Sequence, residues 1–545
     1  MLWQLDRRRF LLWLALIWAV YAAMQILYIT RMPMVMDEFE GAYNVHRYAS
    51  SLPYRDFDPY KTVLGYYIQL PVLESAPDLW TAMLAVKLEM AAAVMLVFVV
   101  VTVALERMFA PGALLLASAL LVVMSDFAER SADLRVDTLT ALAGFVALAA
   151  LIKRRTGWAG ALTAVSMLIS QKAAFYVLAA GAVLIVDLAV EGNRKAALRR
   201  GLAFGAAFGA VLLAYLTFWS FVSTPRAVVA MVFGTAVRVA MSDAYAIRVQ
   251  FWTQTLIRNP LYWALAVVAV FALARRWRTD SSRTIAVYGA VTLALAALHK
   301  QPWPYFFVIV CVPVFMLHAA FFDSMNERRN VKMMIILCGL IGVVYPLTRL
   351  RTTLARDNAV QRWTVEFAQS ILGPHDSYFA GVDMVWDRNH EPSELRWIDA
   401  VVMRELSAKP TEELFRIASE MERAPIKVVI HSYRTARLPP PIARMIEAQY
   451  VPLWGNVAVY GPRLRPGPFA LKFDGDYLLR TMAGSPAVID GRPIASGATV
   501  TFARGRHLLT STAPLRLQLQ PPDWMARVDL RFAGPADLYD HVYSY

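Results

Sequence analysis

Cysteine is nearly absent: the 545 residues hold two, Cys311 and Cys338, both inside apolar runs. That excludes a disulfide framework and a C-x-x-C metal site. Charge is also scarce, at 18% of residues against 58% hydrophobic, with a mean hydropathy of +0.44. A soluble domain averages about 45–50% apolar and about 25% charged. The composition therefore excludes a disordered chain and argues against a wholly soluble enzyme. The signatures of soluble enzymes are missing too, with no P-loop, no H-E-x-x-H and no G-x-S-x-G. No cleavage pattern follows the first apolar run, which continues to Thr30, so it reads as a retained helix.

What is abundant is apolar sequence. A bilayer core needs about 20 such residues per helix. Runs at 10–30, 83–104, 111–126, 137–152, 157–171, 172–190, 201–222, 259–274, 284–298, 303–322 and 333–350 give about eleven candidate spans. With the N-terminus cytoplasmic beside Arg7, Arg8 and Arg9, the loops on that side carry Arg107, Lys153–Arg155, Arg194–Arg200, Arg275–Arg283 and Arg328–Lys332. The opposite loops are longer and sparser in Lys and Arg, as the positive-inside rule requires. The formal charge of +14 then reads as topology charge, and no nucleic-acid partner is expected. Everything after about 350 falls on the outer face, the periplasm of a bacterium, with the chain in the inner membrane. Gly201, Gly205 and Gly209 form a small-residue face expected to pack closely on another helix.

The composition changes after 350. Residues 351–462 mix helical stretches (Trp363–Leu372, Ser393–Leu406, Thr411–Met421) with a strand-like run, Ile426–His431, which predicts a small α/β domain. Pro439, Pro440 and Pro441 are expected to break it. From 463 to 545 the pattern alternates through Phe469, Leu471, Tyr477, Leu479, Val500, Phe502, Leu515, Leu517 and Leu519, with turn signals at Asp474-Gly475 and Asp490-Gly491. This predicts a small β-sandwich. The fold class is thus an α-helical polytopic membrane protein (1–350) followed by an α/β domain and a β-sandwich.

The outer loops carry the polar chemistry. The first, 31–82, runs from Asp37-Glu38-Phe39-Glu40-Gly41-Ala42-Tyr43 through Pro53-Tyr54-Arg55-Asp56-Phe57-Asp58-Pro59-Tyr60-Lys61. A connector does not need that length or that density of carboxylates and aromatics. The second ends in Arg135-Val136-Asp137 at a helix start, where a carboxylate also suits the helix dipole. Gln171-Lys172 and His299-Lys300-Gln301-Pro302-Trp303-Pro304-Tyr305 face the same side. Interfacial lysines are often anchors, but Lys61, Lys172 and Lys300 run against the inside-positive bias and point to an anionic ligand such as a phosphate. Asp56-Phe57-Asp58 is a weak divalent-metal pattern; a metal is not favoured, and no cofactor is expected. The stretch 224–258, with Arg226, Arg238 and Arg248, reads equally as an interfacial helix or a connector.

Asp37-Glu38 just after the first helix, then Pro-Tyr-Arg-Asp-Phe and Tyr60-Lys61, the Arg135-x-Asp137 helix start and the His299–Tyr305 segment together resemble the GT-C glycosyltransferases. The resemblance covers about 1–350. It is to the bacterial branch similar to protein O-mannosyltransferases and the lipid A aminoarabinose transferase. It implies transfer of a sugar from a polyprenyl-phosphate carrier to a lipid, glycan or protein acceptor at the outer face. It assigns Asp37 as the catalytic carboxylate, with Glu38 beside it and Asp137 in support. Lys61 matches the lysine that holds the carrier phosphate, although Tyr60 and Thr62 stand where that branch has a carboxylate and a proline. Arg135, Lys172, His299, Lys300 and Tyr305 are the further candidates for the donor phosphate and lipid, and Tyr43, Tyr54, Arg55 and Tyr60 for the substrate.

The chemistry fits those residue types. An acceptor hydroxyl attacking an anomeric carbon needs a base, and a departing phosphate needs cations. Inversion follows from the family and the carrier, and the sugar is left open among mannose, arabinose, aminoarabinose, galactose and glucose. Two rival classes are a transporter or lipid flippase and a non-catalytic envelope-polysaccharide assembly protein. The sequence shows no repeated halves, which many transporters carry. Trp524, Tyr477 and Tyr539 are candidates for sugar stacking, although core packing is the commoner role of such residues.

Overall fold

A computed structural model describes residues 5–235, 248–277, 279–325, 351, 353–481, 486–510, 514–528, 531, 534 and 536–539. The chain forms two compact units. The first comprises Met1–Met32, Asn44–Ala76 and Ala82–Arg356, and the second Pro33–Tyr43, Pro77–Thr81 and Asp357–Tyr545.

The first unit is a polytopic helical assembly. Among the described residues, six helices are long and apolar enough to cross a membrane: Arg7–Arg31, Leu79–Leu105, Gln171–Val190, Arg194–Ser220, Asp280–Leu298 and Phe306–Ser324. Val249–Arg258 and Pro260–Ala274 form a pair bent by 97°. Pro260 opens the second member, a position where a missing amide costs nothing. Pro111–Val123, Val136–Ile152 and Thr156–Ile169 are shorter apolar helices. Every expected span but one lies on a described helix; 333–350 lies outside the described residues, as does Cys338.

The helix Phe306–Ser324 is the buried axis of this unit. Phe315 meets Phe98 and Phe145 edge-on with ring centroids 5.6 and 5.4 Å apart. Two glycines make close approaches. A Cβ on Gly144 would lie 2.1 Å from the Tyr176 ring, and one on Gly160 would lie 2.2 Å from the Phe204 carbonyl oxygen. The expected role of the Gly201–Gly209 face is different. A Cβ on Gly201, Gly205 or Gly209 would meet nothing within 4 Å, because Arg194–Ser220 packs through Phe204 on Gly160 and leaves most of its surface exposed.

Several loop arginines read as topology charge are also structural. Arg154 pairs with Asp187, and with Asp280 at 2.9 Å. Arg283 reaches Asp187 at 2.9 Å and Glu191 at 3.2 Å, and Arg200 pairs with Glu191. Asp187 and Arg283 are buried, where unpaired charges would be costly. The mutual pairing joins the ends of four helices.

In the second unit, strands β1 (Ser377–Phe379), β2 (Asn389–His390), β3 (Ile426–Ile430), β4 (Tyr450–Trp454) and β5 (Val457–Tyr460) form a sheet in the order β2-β1-β3-β5-β4. The first two pairings are parallel and the last two antiparallel. Helices Ala359–Ile371, Ala400–Ala408, Thr411–Arg423 and Pro440–Gln449 accompany it. The prolines at 439–441 open the last helix instead of breaking the domain, since proline pre-sets the first turn. The remaining strands are β6 (Arg463–Leu464), β7 (Gly467–Leu471), β8 (Gly475–Thr481), β9 (Ala487–Ile489), β10 (Arg492–Ile494), β11 (Thr499–Phe502), β12 (Gly505–Leu509) and β13 (Leu515–Gln520). They make two four-stranded sheets, β10-β9-β12-β7 and β11-β8-β13-β6. Asp490-Gly491, at φ +52° and +76°, joins β9 to β10 as the left-handed pair of a two-residue hairpin. Asp474-Gly475 carries the chain from one sheet to the other. Residues from Phe379 to Leu519 share one hydrophobic core, which includes Tyr477. Tyr539 is buried too.

Replacing Gly160 by leucine is expected to cost about 1–3 kcal/mol through overpacking against the Phe204 backbone. The thermal midpoint of the detergent-solubilised chain should fall, while Gly201→Leu should leave it unchanged. Equal midpoints for the two variants would contradict this packing.

Candidate functional site

In the first unit, the second-loop carboxylates sort themselves by partner. Asp126 accepts from Thr255 Oγ1, and from Asn259 Nδ2 at 3.3 Å. Glu129 faces Arg258 at 3.9 Å, and Asp133 faces Lys87 at 3.5 Å and Arg130 at 3.7 Å. These pairs hold helices together. Asp137 has a different setting. It lies in the first turn of Val136–Ile152 and is 2% exposed. Arg135 Nε donates to its Oδ2 at 3.0 Å, and Lys172 Nζ lies 2.8 Å from its Oδ1.

Lys172 is placed by a single 3-10 turn, Gln171–Ala173, capped by Ser170 at the start of the helix Ala174–Val190. Gln171 Nε2 donates to the Val232 carbonyl at 3.0 Å. Tyr305 precedes the first turn of Phe306–Ser324 and is buried. Its ring centroid is 3.4 Å from the Arg135 guanidinium carbon and 4.5 Å from Lys172 Nζ. Three helix N-termini therefore meet around one carboxylate, two cations and one aromatic face. Each N-terminus contributes a partial positive charge; at the start of Phe306–Ser324 the first amides are already used, Phe306 N–H donating to the Trp303 carbonyl at 2.8 Å and Phe307 N–H to the Pro304 carbonyl at 3.2 Å. Lys61 stands near enough for its charge to act on Lys172. Arg135, Lys172 and Lys61 thus gather around this end of the unit beside the Asp137 carboxylate.

His299 caps the helix Asp280–Leu298 and stacks on Phe306 at 4.4 Å. Lys300 is half-buried in the same segment. Lys61 Nζ lies 4.5 Å from the Tyr60 ring and 5.1 Å from the Tyr66 ring. Its backbone is gripped from below: Tyr54 is 2% exposed, and its hydroxyl donates to the Lys61 carbonyl at 2.9 Å and meets Tyr215 Oη at 2.7 Å. Tyr54 and Tyr60 both have left-handed backbones, at φ +66° and +44°, a strained state that such residues hold only under local constraint. Arg55 is exposed and paired with Asp56 at 2.8 Å.

The Asp56-x-Asp58 pattern is used by the loop itself. Asp56 accepts the Leu52 amide at 2.8 Å and Asp58 the Tyr60 amide at 2.7 Å. Arg55 and the Leu52 amide push the Asp56 carboxyl down to about 2. Among the described residues, no group of three or more His, Cys, Asp or Glu is placed to hold a metal ion. Beside Lys61, an apolar cavity is lined by Thr62, Met167, Leu168, Leu212, Tyr215, Leu216, Val232 and Phe233.

Asp37, Glu38 and Tyr43 lie in the second unit. Asp37 is half-buried in the first turn of Met36–Ser50, and its charge acts on the Tyr433 phenol. Glu38 is buried and its Oε2 accepts the Val35 amide at 2.9 Å, the back-reaching half of a capping box. The Arg396 guanidinium lies 4.0 Å from the Tyr43 ring centroid and pairs with Asp383 at 2.8 Å. Burial raises the Asp383 carboxyl well above its usual range. Sequence reading did not find Tyr433, Arg396 or Asp383, which lie in ordinary helix and loop sequence with no motif spacing.

The chain has the GT-C fold. It is similar to crystal structures of ArnT from Cupriavidus metallidurans in the apo state (13% identity, 82% of this chain and 97% of that one covered, TM-score 0.55) and bound to undecaprenyl phosphate (12%, 82% and 97%, TM-score 0.57). It is also similar to the apo oligosaccharyltransferase of Archaeoglobus fulgidus (12% identity, 90% of this chain and 76% of that one, TM-score 0.50). No protein-family model and no curated protein matches the sequence.

Tyr54→Phe removes the hydroxyl that carries Lys61, at a cost of about 1 kcal/mol for a lost hydrogen bond. Hydrogen exchange at residues 60–63 should rise, with exchange in the helix Phe306–Ser324 unchanged. Unaltered exchange at 60–63 would show that the tyrosine does not hold the lysine.

Proposed function

We propose that the chain is an integral membrane glycosyltransferase that moves a sugar from a polyprenyl-phosphate carrier to an acceptor hydroxyl, with inversion, at the periplasmic face of a bacterial inner membrane. The observation that carries this reading is the gathering of cations at three helix N-termini: Arg135 and Lys172 around Asp137 and Tyr305, with Lys61 nearby. It suits a phosphate, and the apolar cavity beside Lys61 suits the first isoprenes of a lipid tail. The similarity to ArnT bound to undecaprenyl phosphate supports the same carrier class.

In the proposed step, the acceptor oxygen forms a bond to the anomeric carbon from the face opposite the phosphate. The carbon–oxygen bond to the phosphate breaks and its electron pair leaves as polyprenyl phosphate. Asp37 takes the acceptor proton. Lys172, Arg135 and Lys61 stabilise the charge on the departing phosphate, while Asp137 orients two of these cations. His299 and Lys300 flank the same segment as Tyr305 and complete the carrier site. In this reading Tyr54 serves by supporting Lys61, and Tyr60 stacks beside it. The proposed organisation is a catalytic membrane region, 1–350, followed by periplasmic α/β (351–462) and β-sandwich (463–545) domains.

The test is mass spectrometry of the purified chain with a panel of polyprenyl-phosphate sugars and candidate acceptors, with and without a chelator. Wild type should consume one carrier, and Asp37→Asn should lower turnover by about a hundredfold or more, the scale of a general base, without weakening carrier binding. Near-normal turnover in Asp37→Asn would remove the base from Asp37. Loss of turnover in the chelator would show a metal requirement.

A further inference from the structure

Met34, Val35 and Met36 immediately precede Asp37 and are almost fully buried in the second unit, at 1%, 0% and 1% exposure. Buried backbone amides and carbonyls must find partners, and this stretch belongs to no strand. Apart from the Val35 carbonyl, which accepts the Glu38 amide at 3.0 Å, the backbone partners of Met34 and Val35 are side chains. Gln361, in the first turn of the helix Ala359–Ile371 and 2% exposed, accepts from the Met34 amide at 2.8 Å and donates to the Met34 carbonyl at 3.0 Å. One side-chain amide thus replaces a β-ladder pairing three residues before Asp37.

The same Gln361 Nε2 donates to the Leu538 carbonyl at 2.5 Å. Asn456 makes the matching reciprocal pair with Ala536, accepting its amide at 2.9 Å and donating to its carbonyl at 2.9 Å. The tail so fixed presents Tyr539 edge-on to Phe39, centroids 6.1 Å apart. Met36 Sδ accepts from Tyr433 Oη at 3.0 Å and Arg434 Nε at 3.3 Å. Asp37 is therefore flanked on both sides by residues that the second unit holds; Gln361 fixes the backbone at Met34, and Glu38 caps the Val35 amide from within the same segment.

We infer that Gln361 is a positioning residue for Asp37: its amide sets the register of residues 34–36, and through them the direction of the carboxylate. The inference rests on the base role proposed for Asp37. A carboxylate misdirected by about 1 Å costs on the order of a hundredfold in rate, so the effect should appear in kcat and leave carrier binding alone.

The test uses the full-length chain in detergent with two variants. Gln361→Met keeps the side-chain volume and removes both hydrogen bonds to Met34. Gln361→Glu keeps the acceptor for the Met34 amide and loses the donors. Turnover of the carrier, its KM and hydrogen exchange are measured together. The expected result for Gln361→Met is a kcat at least about tenfold lower, KM within twofold, and faster exchange confined to 33–43, with the strand Ile426–Ile430 protected as in wild type. Gln361→Glu should fall between the two. An unchanged kcat, a loss carried by KM, or faster exchange throughout 357–481 would overturn the inference. If wild type turns over no carrier, the glycosyltransferase reading fails, and the exchange at 33–43 still decides whether Gln361 holds that segment.

Discussion

The membrane unit is organised around a buried carboxylate. Asp137 cannot sit at 2% exposure as a bare charge, because an isolated ion in that environment is too costly. It recruits Arg135 and Lys172, and these in turn stack against Tyr305. The three residues come from the starts of three different helices, so one charge balance fixes how those helices end. Asp137 thus draws Arg135 and Lys172 together, and Lys61 stands near enough for its charge to act on Lys172. The other second-loop carboxylates have partners of their own, Asp133 also facing two cations, Lys87 and Arg130. The cations gathered around Asp137 and the partial positive charge of the helix N-termini are the features on which the proposed anion site rests.

The second unit solves a different problem. Met34 and Val35 are buried ahead of the helix that starts at Met36, without strand pairing, and polar side chains meet most of the backbone demand: Gln361 on Met34 and Glu38 on Val35. Asn456 repeats the device on the C-terminal stretch. Such side-chain clasps are specific in register, since an amide matches one N–H and one C=O of a single residue. They bring the precision of a sheet to short irregular stretches.

Much of the architecture is legible in sequence, because hydropathy over about 20 residues is a strong signal. The helices 10–30, 83–104 and 172–190 fall where the apolar runs lie, and Asp490-Gly491 forms the hairpin its residues favour. The misses have physical reasons. Asp474-Gly475 is a turn, but whether a turn closes a hairpin or changes sheets depends on tertiary pairing. The prolines at 439–441 read as a break, although proline is also a good first residue of a helix. The Gly201–Gly209 pattern marks a smooth face without naming a neighbour. In the membrane cluster, Arg135, Asp137, Lys172 and Tyr305 were each visible as charged or aromatic residues at helix starts, and the structure brings them into contact. Gln361 had no signal at all: a neutral amide in an amphipathic helix carries no motif, and only its contact with Met34 reveals it. That Asp37 packs with the second unit was likewise beyond local pattern, since residues 33–43 and 357–545 are distant in sequence.

The central claim is that the Asp137-centred cluster binds a lipid-linked phosphate. The most direct measurement is equilibrium binding of undecaprenyl phosphate to the purified wild-type chain and to Lys172→Met, each at low and high salt. A charge-assisted contact contributes about 1.5–3 kcal/mol, and about 1.4 kcal/mol is tenfold in affinity. The account predicts binding at least about tenfold weaker in Lys172→Met, with a smaller loss on adding salt than wild type shows. Equal affinity and equal salt dependence in the two proteins would contradict it.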